Sequence, residues 1–377
     1  MEVRVKIVTE SESGWNYNLW RSSFFPVTEK LGAAYGTMNG RMCPVYLGGA
    51  SRNSGRDYMV MRNAAAMYDV SLERSIDFVG PDAEAMLDCL FTRSIAKIRP
   101  GKSGYSIICY EHGGLLCDGV LLRLEQDHFR FAHASGEMFP YFVAHARGRN
   151  VKVSDPDVSV LQIAGPASLQ VLANASSNGL PDPFPRWAVA RLSIGGQDVI
   201  VSRTGYTGED KGFEVYITRE QDGPKLWDDL TRAGISNGMI ASGLDSMDIR
   251  RIEGGNLNYG TDIDERLNPF QCGLGHLVDF SKTEFEGRTA LQGADRNLLI
   301  YGVKCVSGEP DIGARIVDHS YGDIGVVTAA ASSPYLKAGV GIVRLRRFVP
   351  IESTSIHVKT RSGEHAAAEL LKLPFYR

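Results

Sequence analysis

The chain has 377 residues, a net charge of −3, 43% hydrophobic residues and 23% charged residues. That length allows two or three domains around a sizeable core, and the charge balance argues against a nucleic-acid partner. No apolar run approaches the length of a membrane span, so no membrane partner is expected. The N-terminal stretch MEVRVKIVTESESGWNYNLW lacks an apolar core followed by a small-residue cleavage site, which argues against a secretory signal. The six cysteines are scattered with no C-x-x-C, so they read as reduced thiols of a cytoplasmic protein. His-x-x-x-His and clustered Cys/His spacings are absent, and no metal is expected.

Two segments echo one another. SIDFVGPDAEAMLDCLF (75–91) and VLQIAGPASLQVLANAS (160–176) both read as strand, Gly-Pro, helix. Pro81 and Pro166 sit near the first helical turn, where a missing N–H costs nothing. Between them, residues 105–135 read as antiparallel strands with turns at His112-Gly113-Gly114 and Gln126-Asp127. Residues 137–150 read as a short helix ending near Gly148, and 224–235 as an amphipathic helix closed by Gly234. From about residue 290, short strands at regular spacing predict a small all-β domain.

The densest stretch is VSRTGYTGEDKGFEVYI (201–217). Gly205 and Gly208 punctuate a tight turn. Phe213, Val215 and Ile217 then alternate with Glu214 and Tyr216, which places that carboxylate and phenol on one face of a strand. That face is either solvated or turned into a cavity.

SRTGYTGED-GFE resembles the signature of the glycine-cleavage T-protein family, tetrahydrofolate-dependent one-carbon transferases. MYDVS (67–71), GKSGYSIICYEHGGLLCDGVLLRL (101–124), IAGPAS (163–168), RRIEGGNLNYGTDIDERLNP (250–269), FEGRTAL (285–291) and GDIGVVTAAASSPYLKAGVGIVRL (322–345) are similar to successive family blocks in the same order. The resemblance implies an α+β, three-domain cloverleaf around a central folate channel, with a small C-terminal β-barrel or jelly-roll domain. It divides the chain into a folate-binding unit (1–55 and 155–285), a second α+β unit (56–154) and the barrel (286–377). It places Glu214 on the pterin and adds Tyr105, Glu209, Arg251 and Tyr259 as folate-binding residues. Asp118 and Tyr206 are the catalytic candidates it implies.

Two departures bear on the reaction. Family members that act on amines carry two acidic residues after the GG turn, and here the first is Cys117 and the second Asp118. Met247 stands where a ligand-binding arginine is usual. DVSLERSIDFVGPDA and GGLLCDGVLLRL look closer to the dimethylsulfoniopropionate demethylase type. The expectation is therefore a demethylase that moves a methyl group from a small S-, O- or N-methylated substrate to N5 of tetrahydrofolate, with no lipoyl carrier. The alternative is an aminomethyltransferase of a glycine-cleavage-type system. A non-enzymatic folate-binding accessory protein is more remote, because RTGYTGED stands in place of K-G-C-Y-x-G-Q-E. Candidate substrate contacts are Trp15, Trp20, Cys117, His133 and Met247. A homo-oligomeric state is left open.

Overall fold

The computed structural model describes residues 19–207, 211–350 and 356–376. It is a mixed α/β fold with a closed six-stranded barrel in the C-terminal region.

A six-stranded sheet forms the centre. Its order is Val189–Ile194, Gln197–Ser202, Gly212–Ile217, Ser159–Ala164, Ala65–Asp69 and Met239–Ala241. Three of the four inner strands, Gly212–Ile217, Ser159–Ala164 and Ala65–Asp69, are buried at every position, as their near-continuous apolar runs require. Ala65–Asp69 is drawn in from the segment that the sequence division assigns to the second unit. Helices Ser168–Ala175 and Gly223–Gly234 cover one face through Val171, Leu172, Leu226, Trp227 and Leu230. The latter helix starts with Asp222 accepting the Lys225 N–H, and it ends at Gly234 as its sequence predicts.

The second sheet runs in the order Lys102–Cys109, Leu115–Glu125, His128–His133, Arg74–Val79 and Lys152–Ser154. Its two hairpins turn where the glycine pair and Gln126-Asp127 predict. Helix Ala83–Leu90 buries Ala83, Met86, Leu87 and Leu90 against it, the expected i, i+3, i+4, i+7 stripe. The helix predicted over 137–150 is shorter, Phe139–His145.

The two Gly-Pro corners are built alike. Gly80 has φ 144° and Gly165 has φ 119°. A Cβ on Gly80 would stand 2.3 Å from the Asn150 carbonyl oxygen, and one on Gly165 2.3 Å from that of Met61. Both corners thus need glycine for its conformation and for the close approach of a neighbouring backbone.

The barrel strands are Ile300–Cys305, Ala338–Leu345, Gly322–Ser333, Arg315–Asp318, Ile356–Lys359 and His365–Leu371. Closure leaves no sheet edge open to pairing. Helix Leu244–Gly254 joins the barrel to the rest through Glu253, which is fully buried. That carboxylate accepts the Tyr58 hydroxyl at 2.8 and 2.7 Å, the Ser333 hydroxyl at 2.5 Å and the Arg250 guanidinium at 3.2 Å. No helix among the described residues is long and apolar enough to cross a membrane.

Candidate active site

A cavity of about 2500 Å³ lies where the two sheets, helix Leu244–Gly254 and the barrel meet. Pockets for a single small ligand hold roughly 300–1,000 Å³. This one therefore has room for a folate together with a second reactant.

Glu214 faces the cavity while Phe213, Val215 and Ile217 enter the core beneath the helices. The strand is thus buried on both sides, and its carboxylate side is cavity wall rather than solvated surface. Glu214 Oε2 accepts the Thr204 hydroxyl at 2.6 Å and the Tyr216 hydroxyl at 2.5 Å. No described residue donates to Oε1. Burial raises the Glu214 pKa, and the hydroxyls of Thr204, Tyr216 and Ser202 partly offset it. A buried carboxylate with one open oxygen is a donor-seeking group, which fits the paired N–H edge of a pterin. A Cβ on Gly205 in the preceding turn would lie 2.9 Å from the Gln162 amide nitrogen, so that side chain would have to shift to admit one.

On the second sheet, strand alternation separates Cys117 from Asp118. Asp118 lines the cavity, accepting the Tyr105 hydroxyl on Oδ2 at 2.6 Å and the Ser135 hydroxyl on Oδ1 at 3.0 Å. Burial raises its pKa, with both hydroxyls opposing the shift. Tyr105 is held protonated by burial and by Asp118.

Cys117 is fully buried among Ile76, Phe78, Phe91 and Phe131, and burial pushes its thiol pKa well up. It is a core residue and touches no substrate in the cavity, which corrects its place among the substrate contacts. Iodoacetamide should accordingly label Cys89, the exposed thiol, in the native protein and leave Cys117 unmodified by peptide mass analysis. Cys117→Ala should keep at least a third of the activity and cost about 1 kcal/mol of stability.

Tyr206, Arg251, Tyr259, Met247 and His133 all line the cavity. The Tyr206 hydroxyl donates to the Leu257 carbonyl at 3.0 Å, and its backbone N–H to Gln162 Oε1 at 3.1 Å. Burial keeps its phenol protonated, so Tyr206 serves as a fixed wall more readily than as an acid. Tyr259 likewise donates to the Leu115 carbonyl at 3.0 Å. Arg251 is clamped between Asp248 and Asp262, each at 2.6 Å. Burial alone would lower its pKa, but those two carboxylates hold it well above the ordinary value. His133 is 2% exposed, and burial, then Arg74 and Arg41, lowers its pKa to about 3. Its Nδ1 accepts the Ser135 N–H at 3.4 Å, which places the ring proton on Nε2.

Trp20 stands outside the cavity wall. Its indole N–H donates to Asp157 at 2.5 Å, and its ring lies 3.9 Å from the Arg41 guanidinium and 4.9 Å from that of Arg219. It is a structural rivet, so its expected substrate contact is corrected. Trp15 and Glu209 lie outside the described residues. Among the described residues no three His, Cys, Asp or Glu side chains are placed to hold a metal ion.

Glu73 was missed. It lines the cavity just ahead of strand Arg74–Val79, and its pKa is raised well above the ordinary value by burial and then by Glu214 and Asp118. The only local signal is its place two residues beyond the MYDVS block, where an acid interrupts the approach to a buried strand.

Residues 24–282 match the family model described as GCVT N-terminal domain. An aminomethyltransferase of Halothermothrix orenii is 32% identical over 94% of this chain and 99% of its own length. One from Saccharopolyspora erythraea is 31% identical over 93% of this chain and 96% of its own. The crystal structure of glycine cleavage system aminomethyltransferase T from Bartonella henselae superposes with a TM-score of 0.83 at 26% identity, covering 95% of this chain and 98% of that one. These names overturn the expectation of a small-substrate demethylase. Its main support, the missing acid at Cys117, fails as well, because position 117 faces the core and takes no charge from the cavity. Family model, full-length relatives and fold agree, and the chain belongs to the GCVT family of the glycine cleavage T protein.

Proposed function

We propose that this chain is an aminomethyltransferase that moves a one-carbon unit from an aminomethylated lipoyl carrier to tetrahydrofolate. Tetrahydrofolate, the acceptor of this family, supplies the N5 and N10 nitrogens that take up the carbon. The observation that carries the reading is the placement of Asp118 in the cavity with Cys117 behind it. The hairpin therefore still presents an acid to a reacting amine. Its relatives' shared name and the size of the cavity support the same reading.

The chain's own residues divide the work. Glu214 holds the pterin edge through Oε1, with Thr204 and Tyr216 fixing the other oxygen. Tyr206 and Tyr259, each tied to a backbone carbonyl, give rigid walls. Asp118, positioned by Tyr105 and Ser135 with a pKa raised by burial, can take up or return a proton at a reacting nitrogen. Holding two reactants side by side in one cavity supplies much of the rate.

The test is to give the purified chain tetrahydrofolate and an aminomethylated lipoyl carrier protein. Methylene-tetrahydrofolate, ammonia and the free carrier thiol should form in equal amounts. Their absence, with 5-methyltetrahydrofolate formed instead from a free methyl donor, would overturn the reading.

A further inference from the structure

The two sheets meet edge to edge beside the cavity. The Val189 N–H donates to the Gly101 carbonyl at 2.9 Å, and the Ser103 N–H donates to the Trp187 carbonyl at 2.7 Å. Arg93, Ser103, Gly104 and Trp187 line the cavity at this seam. Trp187 is held there at φ 66°, a left-handed conformation that a bulky residue rarely adopts. Its N–H donates to the Arg203 carbonyl at 3.1 Å, and its carbonyl also accepts the Ser103 hydroxyl at 3.2 Å. Strain of this kind persists only where the surroundings fix it, and it collects at ligand sites.

Arg93 flanks the same strand edge on the other side of Gly104. Its guanidinium donates to the Tyr105 carbonyl at 2.7 Å. The backbone beneath it is fixed, because the Thr92 N–H donates to the Ile107 carbonyl and the Lys282 ammonium to the Arg93 carbonyl, each at 3.1 Å. A Cβ on Gly104 would stand 2.6 Å from Arg93 Nη1 and would push the guanidinium off the Tyr105 carbonyl. Elsewhere in the wall, Arg251, Arg266, Arg344 and Arg361 are each paired with a carboxylate. Arg93 has no carboxylate partner among the described residues. Burial lowers its pKa, and no acid opposes that shift. The charges nearby do not supply one. Lys97 and Asp279 neutralise each other at 2.6 Å, and Arg186, 5.1 Å from the Trp187 ring, adds positive charge. A partly desolvated cation without a counter-charge is costly until an anion reaches it.

The seam lies beyond Glu214 on one sheet and beyond Asp118 on the other. Glu214 pairs with Ser202, and Ser202 with Val189, two residues from Trp187. Two strand spacings are roughly 10 Å. On the second sheet, Tyr105 gives its hydroxyl to Asp118 and its carbonyl to Arg93. Tetrahydrofolate has its parts in the matching order: the pterin, the N5 and N10 nitrogens, an aminobenzoyl ring, and a glutamate with two carboxylates. A carboxylate is also the anion that a guanidinium fork fits best.

We propose that this seam is a subsite for the glutamate tail of the folate, in which Arg93 pairs with a tail carboxylate and Trp187 walls the aminobenzoyl ring. The chain thereby selects acceptors that carry the tail. This rests on the folate assignment, and not on which one-carbon unit is transferred.

The test is calorimetric binding with no carrier present. It compares tetrahydrofolate with tetrahydropteroate, which keeps the pterin and the ring but lacks the glutamate. The wild type should bind tetrahydrofolate at least tenfold more tightly. Arg93→Gln should weaken tetrahydrofolate at least tenfold and leave tetrahydropteroate within threefold, so that the preference disappears. Arg93→Lys, which keeps the charge, should retain a preference of at least threefold. Added salt should erode the preference of the wild type and leave the binding of Arg93→Gln unchanged. An equal loss for both ligands in Arg93→Gln would make the arginine a prop of the strand edge. Equal affinity of the wild type for both ligands would show that the tail stays in solvent. Either result overturns the subsite and leaves aminomethyl transfer standing. A wild type that binds neither ligand would overturn the folate assignment with it.

Discussion

The Asp118→Asn enzyme should turn over at least a hundredfold more slowly than the wild type, with its tetrahydrofolate Kd within threefold. Positioned acid–base groups contribute roughly 10²–10⁴ in rate, and asparagine keeps the shape while removing the proton site. Its amide oxygen can still accept the Ser135 hydroxyl, and its nitrogen can donate to the Tyr105 oxygen, so the hairpin should survive. Steady-state turnover and calorimetric binding on the same preparations check this. A rate within threefold of wild type would remove Asp118 from the chemistry.

Glu214→Gln should weaken tetrahydrofolate binding by roughly ten- to a hundredfold, as expected from losing a charge-assisted hydrogen bond worth about 1.5–3 kcal/mol. The hydroxyls of Thr204 and Tyr216 both donate to Oε2, and an amide nitrogen cannot accept them. Glutamine must therefore turn its oxygen towards those hydroxyls and its NH₂ towards the cavity. Donors would then face the donors of the pterin. The fold should not suffer, because burial already penalises the charge at this position. Calorimetry on wild type and variant reads the affinity directly, and an unchanged Kd would show that the pterin is held elsewhere.

Much of this was legible in the chain. Period-two alternation set Glu214 and Tyr216 apart from Phe213, Val215 and Ile217, and the strand does carry its acid to the cavity. The antiparallel hairpins and the all-β texture beyond residue 290 followed from turn residues and strand spacing. The same alternation, applied to Cys117 and Asp118, would have shown that adjacent residues of a strand cannot both face the cavity. Treating the pair as one acidic motif led to the demethylase expectation. Glu73 was not legible, because it lies in the turn ahead of a strand and meets Glu214 only after the two sheets have met. Trp20 was misread for a similar reason. The partners that hold it, Arg41, Asp157 and Arg219, are scattered along the chain. Closure of the barrel is also a property of register, which strand spacing does not fix.

The cavity wall is gathered from stretches of chain that lie far apart, with Glu73, Asp118, Glu214 and Arg251 on different elements and Arg344 on the barrel. No fragment and no unfolded chain can reproduce that arrangement. A folate lodged there acts as a reversible cross-link among the sheets and the barrel. By mass action it draws the population away from every opened form, by about 1.4 kcal/mol for each tenfold excess over the Kd. Proteases that cut through opened forms would then meet fewer of them when folate is plentiful. The lifetime of the enzyme in a cell would thus follow the supply of the molecule that it charges.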